Sequence, residues 1–184
     1  MWVGDAELLE GRTVNLRVVE KEDLPLISEW TANPDFFGEY VSLWQKSKTE
    51  WQKRYDNLPA EEKWFLIEKK DGAKVGFMQH FPIESFQELG YGLVPNERGK
   101  GYCSEAVELV VDYLFLSRDV VRIQAQTDVR NVASQKILEK AGFKKEGTIR
   151  KNDFIRGEWR DRHIYSILRE EWKGPKVLTR TEKK

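Results

Sequence analysis

The stretch Leu93-Val-Pro-Asn-Glu-Arg-Gly-Lys-Gly-Tyr-Cys-Ser-Glu-Ala106 constrains this chain more than any other. It runs from the end of a strand, through a glycine-punctuated turn, into an amphipathic helix. Val107, Val110, Val111, Leu114 and Phe115 fall on one stripe at helical spacing, so the pattern predicts a helix beginning near Gly101. The first turn of such a helix carries unpaired N–H groups and the positive end of the macrodipole. Gly99 and Gly101 remove side chains where a backbone must turn sharply or approach a ligand, and Arg98 and Lys100 add positive charge. The combination reads as an anion cradle for a phosphate or pyrophosphate. Gly-Lys-Gly also occurs in ordinary turns, so the cradle and the plain turn stand side by side on local chemistry. A metal-phosphate P-loop is disfavoured, because the Lys-Ser/Thr ending that motif requires is missing.

Composition narrows the classes further. A chain of 184 residues is long enough for one self-sufficient core. Lys+Arg and Asp+Glu both number 31, which leaves no global charge to recruit nucleic acid. His80 and His163 are the only histidines and Cys103 is the only cysteine, so a histidine- or cysteine-based metal site is not expected and an internal disulfide is impossible. The N-terminus is charged from Asp5 onward with no apolar leader, and no stretch reaches the length of a bilayer span. The expectation is a cytoplasmic protein with no membrane partner and no direct nucleic-acid contact.

Along the chain, Thr13 to Val19 reads as a strand after a turn at Glu10-Gly11-Arg12. Glu22-Asp23-Leu-Pro25 reads as a helix start that Asn33-Pro34 ends, and Lys48 to Leu58 as a second helix. Between them Phe36, Phe37, Tyr40, Leu43 and Trp44 show no period. Such aromatics are ordinarily core, but Tyr40 and Trp44 are also candidates to wall a substrate pocket. Trp64–Glu68 and Lys74–His80 form a hairpin around Asp71-Gly72, and Glu88 to Val94 is a strand leading into the cradle. Val120 to Thr127 alternates as a strand. Asn131 to Ala141 is a helix with Asn131 as N-cap and Gly142 at C′. Phe143–Phe154 and Arg160–Leu168 pair around Arg156-Gly157-Glu158. This order predicts an α/β (α+β) fold with one central sheet, not an alternating βαβ array.

Two segments resemble a known family. Asn96-Glu-Arg-Gly-Lys-Gly-Tyr102 with its amphipathic helix is similar to the acetyl-coenzyme A motif of the GNAT N-acetyltransferase superfamily. Asn131-Val-Ala-Ser134, Ile137 to Phe143 and Glu146-Gly147 resemble the family's next motif, in a spelling closest to the branch that acetylates ribosomal-protein N-termini. The resemblance spans roughly residues 10 to 170 and implies a single domain over residues 1–173, followed by a frayed basic tail over 174–184. Its fold would be a mostly antiparallel mixed sheet, splayed at the coenzyme site and flanked by about four helices.

The resemblance also implies roles. The turn Arg98, Gly99, Lys100, Gly101, Tyr102 and Cys103 would bind the pyrophosphate of acetyl-CoA through backbone N–H groups. Leu93 and Val94 would offer backbone groups to the pantetheine arm, Asn131 would hydrogen-bond near it, and Lys136 would reach the outer phosphates. Ser134 sits where this branch places the general acid that protonates the leaving thiolate. Many relatives use a tyrosine there, and no tyrosine follows Asn131 until Tyr165. Asn96 and Cys103 also depart from residues common in the family.

The chemistry needs a neutral amine. At pH 7 an α-amine of pKa ~7.7–8.0 is neutral in roughly one molecule in ten, and a lysine amine of ~10.4 in about one in 2,500. A carboxylate holding a water suffices as base for the former. The candidates are Glu88, otherwise a solvated strand residue, and Asp153, otherwise a turn carboxylate pairing with Arg150 or Arg156. Ser134 otherwise bonds backbone in a first helical turn, and Asn131 otherwise only caps. Cys103 reads as a small tolerated residue in preference to a nucleophile with a lowered pKa. The two histidines read as structural.

The leading expectation is an acetyl-CoA-dependent N-acetyltransferase that moves the acetyl group directly to a primary amine, with a protein N-terminal α-amine preferred. The rivals are a small-amine (antibiotic or polyamine) acetyltransferase and a non-catalytic acyl-CoA sensor. The acceptor region, Asn33 to Leu58, offers Asp35, Glu39 and Glu50 to attract a cation. A homodimer accords with the branch, although no stripe in the sequence marks one.

Overall fold

A computed structural model describes residues 8–43 and 45–177. Eight strands form one sheet: β1 (Leu8–Glu10), β2 (Val14–Val18), β3 (Lys63–Lys69), β4 (Lys74–Ile83), β5 (Phe86–Leu93), β6 (Arg122–Asp128), β7 (Lys144–Ile155) and β8 (Glu158–Leu168). Their spatial order is β1-β2-β3-β4-β5-β6-β8-β7, and every neighbouring pair is antiparallel except β5–β6. The helices are α1 (Leu24–Ala32), α2 (Pro34–Phe37), α3 (Lys48–Asp56), α4 (Tyr102–Ser117) and α5 (Val132–Lys140). The short α2, inside the aperiodic aromatic segment, is the helix the periodicity did not predict, and β1 is the strand it did not predict.

The sheet is covered on both faces, and strand alternation decides which residue serves which face. On β3, Phe65 and Ile67 join the cluster built on α4, with Met78, Leu89, Val107, Val110 and Leu114. Trp64 and Leu66 point the other way and pack with Phe77, Ile27, Phe36 and Trp51 under α1–α3. α4 is the central spacer, since Val107, Val110, Val111 and Leu114 are at most 2% exposed. Burying such side chains stabilises by about 1.5–3 kcal/mol each.

Local chemistry sets the boundaries. Asn33 ends α1 and its Oδ1 accepts from Asp35 N at 2.9 Å to start α2. Asn131 Oδ1 accepts from Ser134 N at 3.0 Å, and Gly142 follows α5 with φ +94°. Arg156 and Gly157 turn the β7–β8 hairpin with φ of 49° and 90°, the doubly left-handed turn that suits a twisted pair. The segment after β8 was expected to fray from Gly174. Instead Trp172 Nε1 and the backbone N–H groups of Lys176 and Val177 all donate to the carboxylate of Asp112, which is buried in α4. Lys176 adds an ion pair with Glu108 at 2.6 Å, and residues 178–184 of the expected tail lie outside the described residues. No helix among the described residues is long and apolar enough to cross a membrane.

Candidate active site

β5 and β6 pair over Gln87–Leu89 and Ile123–Ala125 only. Beyond that point β5 continues on β4 to Leu93 and β6 continues on β8 to Asp128, so the sheet opens where the family resemblance implied a splay. A cleft of about 840 Å³ occupies the opening. It reaches both faces of the sheet, and the two faces supply different chemistry.

On the α4 face the lining comes from Gly99, Gly101, Cys103, Asn131, Ser134 and Lys136. Gly99 and Gly101 have φ of +76° and +87°, with open space where a Cβ would stand. Gly101 is the N-cap of α4 and offers no side-chain cap, so the first N–H groups of the helix are not engaged by one. These are the features a pyrophosphate needs: a backbone free to approach, exposed donors and the positive end of a long helix. The residues present therefore fit coenzyme A.

The cations of the turn are engaged elsewhere. Arg98 Nη2 donates to the backbone carbonyls of Asp35 at 2.6 Å and Phe36 at 2.7 Å, and Nε and Nη2 both donate to Leu93 O at 3.2 Å. Lys100 pairs with Glu97 at 2.9 Å, and neither Lys100 nor Tyr102 lines the cleft. Val94 also departs from its expected role. Its N–H donates to Val75 O at 3.0 Å and its carbonyl accepts from Glu97 N at 3.0 Å, because the chain is already turning there. Leu93 does line the cleft.

Ser134 Oγ lies 2.9 Å from Tyr91 Oη. The hydroxyl's partner is thus a side chain on β5, not the backbone bond that was the alternative to its role as general acid. Tyr91 was missed by the sequence reading, which sought a tyrosine only after Asn131. Its one available signal was strand alternation, which puts Tyr91 on the same face as the core residues Leu89 and Leu93. Burial raises the Tyr91 hydroxyl well above its ordinary pKa, so the hydroxyl stays protonated. Burial also pushes the Cys103 thiol up to about 12, the opposite of an activated nucleophile. Asn131 both caps α5 and lines the cleft.

On the other face lies Glu88. Its Oε2 accepts from Gln124 Nε2 at 2.9 Å and Gln126 Nε2 at 3.2 Å. Arg122 donates to Gln124 Oε1 at 3.0 Å, which fixes the amide with its NH2 toward Glu88. Glu88 is thus oriented by neutral amides, and among the described residues no cation pairs with it. Asp153 lines the same cleft but is ion-paired with Arg162, and accepts from Asn152 Nδ2 at 3.0 Å. Its partner is neither Arg150 nor Arg156. Arg156 instead donates to the carbonyls of Pro34 at 3.1 Å and Gly38 at 2.8 Å. Tyr40 walls the cleft, while Trp44 lies outside the described residues. Asp35, Glu39 and Glu50 are exposed and do not line it, and Glu50 is used in the capping box of α3.

His80 is fully buried, with Nδ1 2.9 Å from Gln87 Oε1, and burial lowers its pKa to about 4. His163 is held on β8 by Thr148 and Lys145. Neither lines the cleft, which agrees with their structural reading.

A family model described as an acetyltransferase (GNAT) domain matches residues 13–144. A relative from Bacillus subtilis (strain 168), a probable N-acetyltransferase called YjcK, is 36% identical over 88% of this chain and 97% of its own. Among solved structures, the ribosomal L7/L12 alpha-N-protein acetyltransferase RimL in complex with coenzyme A superposes with a TM-score of 0.78 at 19% identity, covering 88% of this chain and 98% of that one. Spermidine N-acetyltransferase from Vibrio cholerae in complex with CoA and spermine superposes with a TM-score of 0.79 at 23% identity, covering 86% and 97%.

Proposed function

The chain belongs to the GNAT family of acetyltransferases and is an acetyl-CoA-dependent N-acetyltransferase; on that premise we propose that it acetylates a primary amine by direct transfer at the β5–β6 opening, a protein N-terminal α-amine being the preferred acceptor. The observation that carries this reading is that Glu88 and Ser134 enter one cleft from opposite faces of the sheet, where the two strands part. When bound, acetyl-CoA supplies a thioester whose carbonyl carbon takes the amine nitrogen, with C–N forming, C–S breaking and the sulfur leaving as a thiolate.

Glu88 takes the proton the amine loses, directly or through a water, and Gln124 and Gln126 hold its carboxylate for that task. Ser134 delivers a proton to the departing sulfur. Tyr91 assists by position: its buried hydroxyl has Ser134 Oγ as hydrogen-bond partner, and donating there leaves the Ser134 proton free for the cleft. Asp153, neutralised by Arg162, is the weaker candidate for base. Gly99, Gly101, Cys103, Asn131 and Lys136 would hold the coenzyme, and Tyr40 would touch the acceptor.

A carboxylate without a lysine-activating device suits an α-amine, already neutral in roughly one molecule in ten at pH 7. The likeness to a spermidine acetyltransferase keeps a small polyamine as the second reading. Turnover of acetyl-CoA with amine acceptors tests the proposal. Wild type should acetylate, and Glu88→Gln and Ser134→Ala should lose turnover while still binding coenzyme. A wild type that binds acetyl-CoA and acetylates no amine would make the chain a sensor.

A further inference from the structure

The carboxylate of Glu88 has a support that reaches beyond the cleft. Arg122, Gln124 and Gln126 alternate along β6, so they stand on the face from which Glu88 enters. Gln124 is the register partner of Glu88 on β5 and of Ser166 on β8, and both Gln124 and Ser166 are buried. Beyond β8, the edge strand β7 carries a bulge. Lys145 pairs with Tyr165 and Gly147 with Ile164, which leaves Glu146 as the extra residue. A bulge re-aims the side chain it inserts, and this one brings Glu146 against Ser166 and Arg122. Glu146-Gly147 is part of the second sequence motif, and it lies outside the cleft.

These side chains form a strut. Glu146 Oε1 accepts from Arg122 Nη1 at 3.0 Å and from Ser166 Oγ. Arg122 Nη1 also donates to Ser166 Oγ at 3.0 Å, and its Nη2 donates to Gln124 Oε1 at 3.0 Å. The guanidinium lies over the Phe86 ring, 5.8 Å from its centroid. Gln124 Nε2 then donates to Glu88 Oε2 at 2.9 Å. With Oε1 committed to a guanidinium, the amide is locked. A flip would set its NH2 against the guanidinium N–H groups and its oxygen against the carboxylate. The fixed cation thus acts on Glu88 through one amide. Asp153 shows the contrast, since Arg162 contacts it directly and neutralises it.

We propose that Arg122, braced by Glu146 and Ser166, is a positioning residue for the base: it holds the Gln124 amide in the one orientation that grips Glu88. The bulge in β7 is the outer footing of the strut, and it gives Glu146 of the second motif a task in the reaction without contact with either substrate. The inference rests on the reading of Glu88 as base and deepens it.

The test is steady-state kinetics of the full chain with acetyl-CoA, using an alanine-first peptide and spermidine as acceptors, alongside calorimetric titration with the coenzyme. Arg122→Met keeps an unbranched stem over Phe86 and removes the donors. It should lower kcat roughly 10-fold, with acceptor KM and coenzyme affinity within about 2-fold of wild type. Gln124→Leu should lower kcat by a similar factor, and the double variant should be no worse than Gln124→Leu alone. Glu146→Ala, at a half-exposed edge position, should lower kcat about 3-fold and add nothing in the Gln124→Leu background. That comparison serves equally if Arg122→Met does not fold. A wild-type kcat in these variants, or losses that multiply with that of Gln124→Leu, would overturn the inference and leave Glu88 as base. Glu88→Gln as active as wild type, or a wild type that turns over neither acceptor, would overturn the reading beneath it and the inference together.

Discussion

Residues 98–104 and 131–136 shape one half of the cleft with backbone and helix starts, whereas residues 34–41 shape the other with side chains roofed over β4 and β5. The first half must present N–H groups to a phosphate. That requirement fixes residue type, with glycine at positive φ and asparagine at a helix cap. The second half needs apolar bulk at a distance set by tertiary contacts, which many sequences supply. The halves are joined by Arg98, which leaves the coenzyme turn and grips the carbonyls of Asp35 and Phe36. The cleft is therefore one mechanical unit with two recognition chemistries.

The sharpest way to break this division is at Glu88. Glu88→Gln keeps the shape of the acceptor half and removes its base, so kcat should fall about 100- to 10,000-fold with coenzyme affinity unchanged. A parallel loss of coenzyme binding, by calorimetry, would mean the halves are not chemically separate. Acid stability separates the two faces of the sheet next. His80 lies on the α4 face, neutral in the fold with a pKa of about 4 against about 6.5 when unfolded. Its lowered pKa contributes stability that is fully present above pH 6.5 and is lost as pH falls toward 4, on the order of 3 kcal/mol in all. His80→Phe should flatten the decline in denaturant midpoint over that window; an unchanged decline would assign the sensitivity to other groups.

A smaller effect tests the proton donor. Ser134→Ala should lower kcat roughly 10- to 100-fold, and Tyr91→Phe about 5-fold, the value of one hydrogen bond of ~1 kcal/mol. If Tyr91 acts only through Ser134, the double variant should be no worse than Ser134→Ala, whereas additive losses would give Tyr91 a separate task. Smallest of all, Arg98→Met should raise the acceptor KM about 3- to 10-fold by loosening the roof, with coenzyme affinity within about 2-fold of wild type. A selective loss of coenzyme affinity would restore the phosphate role that the sequence suggested for this arginine.

That reversal shows where sequence reading stops. The start of α4 next to Gly101, the Asn131 cap and the Asp71-Gly72 hairpin were legible because each depends on a local pattern, whereas the parting of β5 from β6 came only from the family resemblance. Arg98, Asp153 and Tyr91 were not legible, because their roles depend on partners 62 residues, 9 residues and 43 residues away along the chain, brought close by the fold. Glu88 was legible as a strand carboxylate. The amides of Gln124 and Gln126 that hold it come from a strand the sequence places nearby without fixing the register. The aromatic roof was visible as composition and invisible as geometry.

The most direct measurement is calorimetric titration of wild type, Gly101→Glu and Gly157→Glu with acetyl-CoA. Gly101 and Gly157 have similar φ, +87° and +90°, and neither has a neighbour where its Cβ would stand, but only Gly101 lines the cleft. The account predicts a dissociation constant on the order of micromolar for wild type and Gly157→Glu, and no detectable binding by a folded Gly101→Glu. Absence of binding by folded wild type, or equal binding by all three, would contradict the assignment of the cleft.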